Sequence, residues 1–458
     1  MADLQSNKMR DMKISKLLFK MSLPAIFSMF VQALYNIVDT MYISQFSPDK
    51  GVEALSIVFP LQMISLAVFL GIGVGANAQI AKKLGAGKSE EASDTAKNGI
   101  FLAIIGGLLF LILGLIIPRP FISMFTEDPE TIKMATIYLT IVMCSSLGFG
   151  LQITCEKILQ STGNMKVAMI SQLIGAITNI VLDPICIFTF NMGIMGAAVA
   201  TVAGQVLGMI YVVVQFIIKK QDVSINIFSH FKPSFTVEKK IFRVGLPTMF
   251  MNSLNSITIT LMNSIVGVYP DGIRLLGIYF KLQSFVFMPV FGLQQGALPI
   301  LSYNFGYGNK SRFNECRKLA SFSSMGIMFV GLLIFQFLPS MFLTMFNVSG
   351  DAFNLGITCL RIISISFIPA ALNIVTTTSF QSVGSGFNGL MMSFLRQLIF
   401  LLPIAFLLSK AGNLSTTWWC YPISEVLTTL IFVPTSFKII NNKFLKRQNS
   451  LNTQKGTN

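Results

Sequence analysis

The sequence predicts an all-α polytopic membrane protein: twelve transmembrane helices in two six-helix bundles, related by a pseudo-two-fold axis along the membrane normal. Three observations predict it. The 458 residues are 53% hydrophobic and only 12% charged, with 41 Phe and 25 Met, about half the charge of a soluble protein and more apolar material than one soluble core uses. The apolar residues fall into about twelve runs near the ~20 residues a bilayer needs. An internal repeat divides those runs into two sets of six.

In chain order the expected spans are 16–46, 52–82, 94–117, 132–160, 166–188, 194–219, 238–268, 273–304, 313–338, 352–381, 388–409 and 414–440. The polar, basic start (Lys8, Arg10, Lys13, Lys16, Lys20) runs into a full-length span, so no cleavable signal peptide is expected. With the N-terminus inside, about 26 Lys/Arg fall on the cytoplasmic side, about 5 outside and about 3 within spans. Both termini are therefore expected in the cytoplasm. The net charge of +15 reflects this topology, not nucleic-acid binding.

The repeat is an ordered series. Leu23-Pro24 recurs as Leu246-Pro247, and Gly85-Ala-Gly87 as Gly306-Tyr-Gly308. Pro118 with Met124-Phe125 recurs as Pro339 with Met345-Phe346, Gln160-Ser161-Thr-Gly163 as Gln381-Ser382-Val-Gly384, and Pro184 as Pro403. Most of these offsets are 221. Six spans per half give both halves one orientation, as in transporters with parallel repeats. The expected organisation is an N-terminal lobe over 1–219, a cytoplasmic linker over 220–237, a C-terminal lobe over 238–442 and a disordered cytoplasmic tail over 443–458. Gly71, Gly73 and Gly75 are read as close-packing positions; Pro24 bends its helix.

Most of the nineteen acidic residues lie in loops or at span ends. Asp39 and Asp183 do not, and an ionisable residue at membrane depth is a functional-site hypothesis by default. Ser28, Gln32, Tyr35, Asn36 and Asp39 share one face of the first span, a polar stripe that lines a wet cavity rather than lipid. Asn179 and Asp183 are one turn apart on span five. Thr201 lies about seven residues into span six, at about the same depth. Asp39, Asn179, Asp183 and Thr201 form an oxygen-only set suited to Na⁺, in which case they are its metal ligands, or to a proton held between two acids. The plainer alternative is two buried acids satisfied by hydrogen bonds. In the repeat Asp39 maps near Thr260–Met262 and Asp183 to Leu402, so neither acid is duplicated. That asymmetry favours one coupling site in the N-terminal lobe.

The C-terminal lobe has Asn252, Asn255 and Ser256 on span seven, Lys281 and Gln283 on span eight, and Arg361, Arg396 and Glu425 on spans ten to twelve. These pair with one another or snorkel; Asn252 and Asn255, with Gln205, are also candidate cavity residues. Glu425 aligns with Gln205 in the repeat. Glu156 is read as interfacial, near the cytoplasmic end of span four. The six cysteines have neither metal nor disulfide spacing, and His230 is read as a loop residue. Gly85-Ala-Gly87-Lys88-Ser89 mimics the end of a P-loop, but position 82 is Lys82 and no strand precedes it. No nucleophile–base arrangement is visible, so an enzyme is not expected, nor any cofactor. Transport must draw on an ion gradient, with Phe and Met walls giving adaptable apolar contact.

At Leu23-Pro24, Asn36-Ile-Val-Asp39-Thr40, Gly85-Ala-Gly87, Gln160-Ser161-Thr-Gly163-Asn164 and Asn179-Ile-Val-Leu-Asp183-Pro184, the chain resembles the MATE (multidrug and toxic compound extrusion) family, near its bacterial MepA-like branch. The resemblance covers nearly the whole chain. It implies two six-helix bundles in a V, and a monomer that exports cationic amphipathic compounds in exchange for H⁺ or Na⁺. The family's N-lobe cation site matches at Asp39, Asn179, Asp183 and Thr201. Some branches carry coupling acids in spans seven and ten; those spans carry none here. The rival readings are a flippase or exporter for a lipid-linked precursor or endogenous metabolite, which usually needs cations in its cavity, and a membrane-embedded enzyme.

Overall fold

A computed structural model describes residues 9–47, 50–218, 221–225 and 232–455, and among them there is no strand. Lys8, Lys219, Lys220 and His230 lie outside the described residues. The long helices are α1 (Ile14–Phe46), α2 (Lys50–Gly85), α3 (Ser89–Ile116), α4 (Pro129–Cys144), α5 (Ser146–Ser161), α6 (Met165–Pro184) and α7 (Ile194–Ile218) in the first half. The second half has α8 (Phe235–Val266), α9 (Gly272–Tyr307), α10 (Lys310–Phe337), α11 (Asp351–Ser364), α12 (Phe367–Ser382), α13 (Gly386–Phe394), α14 (Leu402–Ala411) and α15 (Cys420–Lys455).

Among the described residues nine helices are long and apolar enough to cross a bilayer, and eleven spans result if each bent pair is one span. The remaining span of the twelve-helix layout is α8, whose 32 residues suffice in length but carry Lys239, Lys240, Arg243, Asn252 and Asn255. Its three bases are exposed near its start, and only the two asparagines face the space between the lobes. The apolar faces of the other spans point outward: Leu108, Leu109, Ile112, Leu115 and Ile116 of α3 are each about half exposed or more, a surface for lipid tails.

Spans four and ten are broken, where the sequence suggested continuous helices. α4 meets α5 at 48° and α11 meets α12 at 43°. Ser145 and Ser366 stand at the breaks, at repeat-related positions. Each hydroxyl donates to the carbonyl three residues back, Ser145 to Val142 at 2.9 Å and Ser366 to Ile363 at 2.6 Å. Such back-bonding competes with the helix ladder and bends it.

The repeated glycines also have a structural cause. Gly87 and Gly308, and Gly163 and Gly384, all have φ between +73° and +87°, where a Cβ is strained. Gly85 and Gly306 let α2 and α9 cross: a Cβ on Gly85 would meet the Tyr303 carbonyl, and one on Gly306 the Lys82 carbonyl. Further along α2, Cβ atoms on Gly71 and Gly75 would collide with Gly245 and Ile241 of α8, so these are packing glycines. The lobes thus touch through α2 against α8 and α9, and α1 against α9.

Each lobe has its own apolar core, and a third cluster at the basic end takes residues from both, among them Leu17, Ile80, Leu84, Leu301, Tyr303, Phe313 and Phe444. Phe444 belongs to the segment after Lys443, which the sequence suggested to be disordered. That segment continues α15 as helix to Lys455. Phe444 packs edge-on against Phe305 and Phe313, and Arg447 donates to the Gly306 carbonyl at 3.0 Å. Tertiary anchoring overrides the polar composition.

Candidate functional site

The site begins on α6. Asn179 and Asp183 lie one turn apart, 2% and 0% exposed. The Asn179 Nδ2 donates to Asp183 Oδ1 at 3.2 Å and to Thr201 Oγ1 of α7 at 3.2 Å. Asp39 comes from α1, close enough for its charge to act on Asp183 and on Tyr138 of α4. A π-helical turn, Ile185–Thr189, follows immediately after Pro184, an irregularity that often accompanies functional sites.

Among the described residues three buried acceptors here have no hydrogen-bond partner: Asp39 Oδ1, Asp183 Oδ2 and Asn179 Oδ1. A buried polar group left unpaired costs about 1–3 kcal/mol, and more when charged. A small cation removes that cost. The donor set is oxygen only, which suits a hard cation, and a proton on either carboxyl serves as well. Among the described residues no three His, Cys, Asp or Glu converge.

From this site a cavity of about 110 Å³ runs toward the basic end, lined by Gln32 and Tyr35 of α1, Gln152 and Glu156 of α5, Gln172 and Asn179 of α6, and Thr201 and Gln205 of α7. Gln32, Tyr35 and Gln205 are where the sequence placed them. Ser28 is not: it is 4% exposed, and its hydroxyl donates to the Pro24 carbonyl at 3.0 Å, bonding within α1 instead of facing the cavity. The side chains of Asn36 and Thr40 lie outside the described residues.

Glu156 is not interfacial. It is 4% exposed and accepts from Ser171 Oγ at 2.8 Å, Gln172 Nε2 at 2.8 Å and Gln152 Nε2 at 3.2 Å. The N-terminal segment covers this end of the bundle, with Met9 against Gly163. Gln152 and Glu156, four apart on one face, were the available signal.

A larger cavity of about 340 Å³ lies between the lobes. α2 lines it with Leu70, Val74 and Asn77 while turning Gly71 and Gly75 to α8. Asn252 and Asn255 of α8 line it as well, with Gln295, Asn373, Gln381, Gln397, Met29, Met251, Met392 and Phe291. Its walls are amide, methionine and phenylalanine, with two bases. Arg396 is paired with Glu425 at 2.9 Å, and Glu425 also accepts from Asn373 at 2.6 Å. Lys157 donates to Gln160 at 3.1 Å and, across the lobe interface, to Gln295 at 2.8 Å. Of the other C-lobe bases, Arg361 donates to the Gln336 carbonyl and Lys281 sits over the Phe346 ring at 5.9 Å; neither lines the cavity.

The MatE family model matches residues 24–185 and again 247–407, one copy per lobe. The chain belongs to the MatE family. Among its relatives, the multidrug export protein MepA of Staphylococcus aureus (strain MSSA476) is 26% identical, covering 91% of this chain and 92% of that one. MepA of Staphylococcus haemolyticus (strain JCSC1435) is 24% identical, covering 94% and 95%. Solved structures share the fold at a TM-score of 0.90. One is an outward-facing conformation of a multidrug resistance MATE family transporter of the MOP superfamily, at 24% identity, covering 95% of this chain and 98% of that one. Another is a MOP superfamily transporter from Pyrococcus furiosus, described by the reverse polarity of its binding pocket, at 23% identity and the same coverage. This MatE protein is thus a multi-pass membrane transporter with two repeat-related bundles.

Proposed function

We propose that this chain is a cation-coupled multidrug antiporter of the bacterial plasma membrane, working as a monomer with both termini cytoplasmic. It exchanges cationic amphipathic compounds for H⁺ or Na⁺, and uses no other cofactor. The lobes are 1–219 and 238–442, joined by the linker 220–237. The observation that carries the reading is the trio of unpartnered oxygens on Asp39, Asp183 and Asn179. A buried acidic set that leaves carboxylate oxygens without donors is stabilised by a cation or a proton, and its occupancy then biases the transport cycle. Cation binding favours the state that releases drug outside, and drug loading from inside favours cation release. Each ligand shifts the equilibrium only by its differential affinity for the two states. The relatives' being multidrug export proteins supports the substrate class, as do the methionines and Phe291 of the inter-lobe cavity.

In cells, ethidium efflux should disappear in an Asp39→Asn, Asp183→Asn double variant expressed at normal levels. Intact efflux would sink the mechanism. A second reading, export of a lipid-linked precursor, has one observation in its favour: Lys157 and Arg396 both line the inter-lobe cavity, where an anionic headgroup would need them. Arg396 is already neutralised by Glu425, which weighs against it. Deletion that costs viability without raising drug sensitivity would support this second reading.

A further inference from the structure

The N-terminal bundle holds a third buried acid that the cation site does not use. Glu156 stands on the same small cavity as Asn179. Gln172, which donates to it, and Asn179 are seven residues apart on α6, two turns or about 10 Å. Its three hydrogen-bond donors are all neutral, so they solvate the carboxyl without cancelling its charge. Those donors face the oxygens and leave no ring of acceptors around them, which suits a proton and not an alkali cation. The titratable groups near it are few. α1 presents Tyr35 to the cavity, α2 only Leu66, and α7 only Thr201 and Gln205; Asp183 on α6 is two turns and more away. On its own helix the neighbours are the buried Cys155 thiol and Lys157.

Consecutive helical residues point about 100° apart. Glu156 therefore enters the N-lobe cavity while Lys157 enters the inter-lobe cavity, with Cα atoms about 3.8 Å apart. Their charges act on each other through α5. In the repeat these positions are Thr377 and Thr378, so the pair, like Asp39 and Asp183, exists in one lobe only.

We propose that Glu156 is a second proton-binding carboxyl of the N-terminal bundle, whose charge state is read by a cationic substrate in the inter-lobe cavity through Lys157. With Glu156 ionised, the pair is neutral and the cavity accepts a cation. A proton taken onto a Glu156 oxygen leaves Lys157 uncompensated beside the substrate and expels it; proton release restores the cavity. The proton-binding part stands alone, and the substrate part rests on the proposed export of cationic compounds.

Two measurements on the purified full-length protein test it. In an Asp39→Asn, Asp183→Asn background, the pH-difference infrared spectrum should retain a buried-carboxyl band that Na⁺ does not alter at fixed pH and that Glu156→Gln removes. Gln172→Leu, which strips a donor from the ionised form, should move the same band to higher pH and serves if Glu156→Gln does not fold. A band insensitive to both substitutions, no titrating band, or one suppressed by Na⁺ overturns the proton site. In the otherwise wild-type protein, Glu156→Gln should weaken tetraphenylphosphonium binding several-fold near neutral pH, and added Lys157→Gln should restore it. Unchanged binding in Glu156→Gln overturns the link to substrate. If wild-type protein binds no tetraphenylphosphonium at all, the cationic-substrate reading and this link fail together, while the infrared result still decides the proton site.

Discussion

The N-terminal bundle carries Asp39, Glu156 and Asp183 where the C-terminal bundle, at the related positions, carries Thr260–Met262, Thr377 and Leu402. Conversely, Glu425 of the C-terminal bundle stands where the N-terminal bundle has Gln205. The two lobes also treat their acids differently. Glu425 is bound by Arg396 and Asn373, so its charge is cancelled inside the lobe. Asp39 and Asp183 have no base within bonding distance among the described residues and keep unpartnered oxygens. One scaffold therefore supports two electrostatic designs: a C-lobe acid closed by an ion pair, and N-lobe acids left open to a cation from outside. The comparison teaches that a buried acid in this fold is a candidate carrier when no base is bonded to it directly.

The sharpest way to break that contrast is to open the closed acid. Arg396→Gln leaves the part-buried Glu425 carboxylate without its base, which should destabilise the protein by about 1–3 kcal/mol and lower its Tm. Replacing both residues with Met should recover most of the loss, since a buried pair is worth little net stability over a well-packed apolar one. If Arg396→Gln is as stable as wild type, Glu425 is not held by the pair and the contrast between lobes collapses.

A smaller effect is expected from Asn179→Ala in the open set. It removes one oxygen ligand and the bond to Asp183, a charge-linked interaction of about 1.5–3 kcal/mol. The ion concentration needed for half-maximal transport should rise roughly tenfold or more, with the fold intact. An unchanged ion dependence would remove Asn179 from the site.

The lobes differ least, and with the least consequence, at the rim away from the basic end. Asp128 caps α4, accepting from Thr131 N at 3.0 Å and Thr131 Oγ1 at 2.7 Å, and with Glu130 it holds Lys50. The related helix α11 begins at Gly350 with no side-chain cap. The Thr131 bonds hold the Asp128 carboxyl below its usual range. Its stabilisation is therefore present above the ordinary carboxylate pKa and is lost as pH falls through the lowered value. Asp128→Asn should lower Tm by at most a few degrees at neutral pH and by less as the solution is acidified. An equal deficit at all pH values would show that the cap contributes through shape alone.

Much of this was legible in the sequence, for reasons that can be located. The twelve spans follow from run length. The two lobes follow from glycines and prolines whose repeat reflects left-handed turns at Gly87 and Gly308 and the crossing at Gly85 and Gly306. Asp39, Asn179, Asp183 and Thr201 stand out in the sequence because an acid at membrane depth is costly and because helical spacing fixes which residues share a face. What stayed hidden depends on tertiary cover. Glu156 looked interfacial because span position measures depth along one helix and says nothing of the N-terminal segment that closes over it. Ser28 looked like a cavity residue because spacing cannot tell whether a hydroxyl turns outward or back to Pro24. The breaks at Ser145 and Ser366 and the helix beyond Lys443 depend on bonds that no local pattern announces. Lys157 reaches the opposite lobe only because α5 meets α9 there.

The most direct test of the central claim is ethidium efflux from proteoliposomes under an imposed pH gradient or an imposed Na⁺ gradient, wild type against Asp183→Asn. The account predicts efflux driven by one of the two gradients in the wild type and lost in the variant, which also identifies the coupling ion. Efflux that survives in Asp183→Asn, or that neither gradient drives in folded wild-type protein, would contradict it.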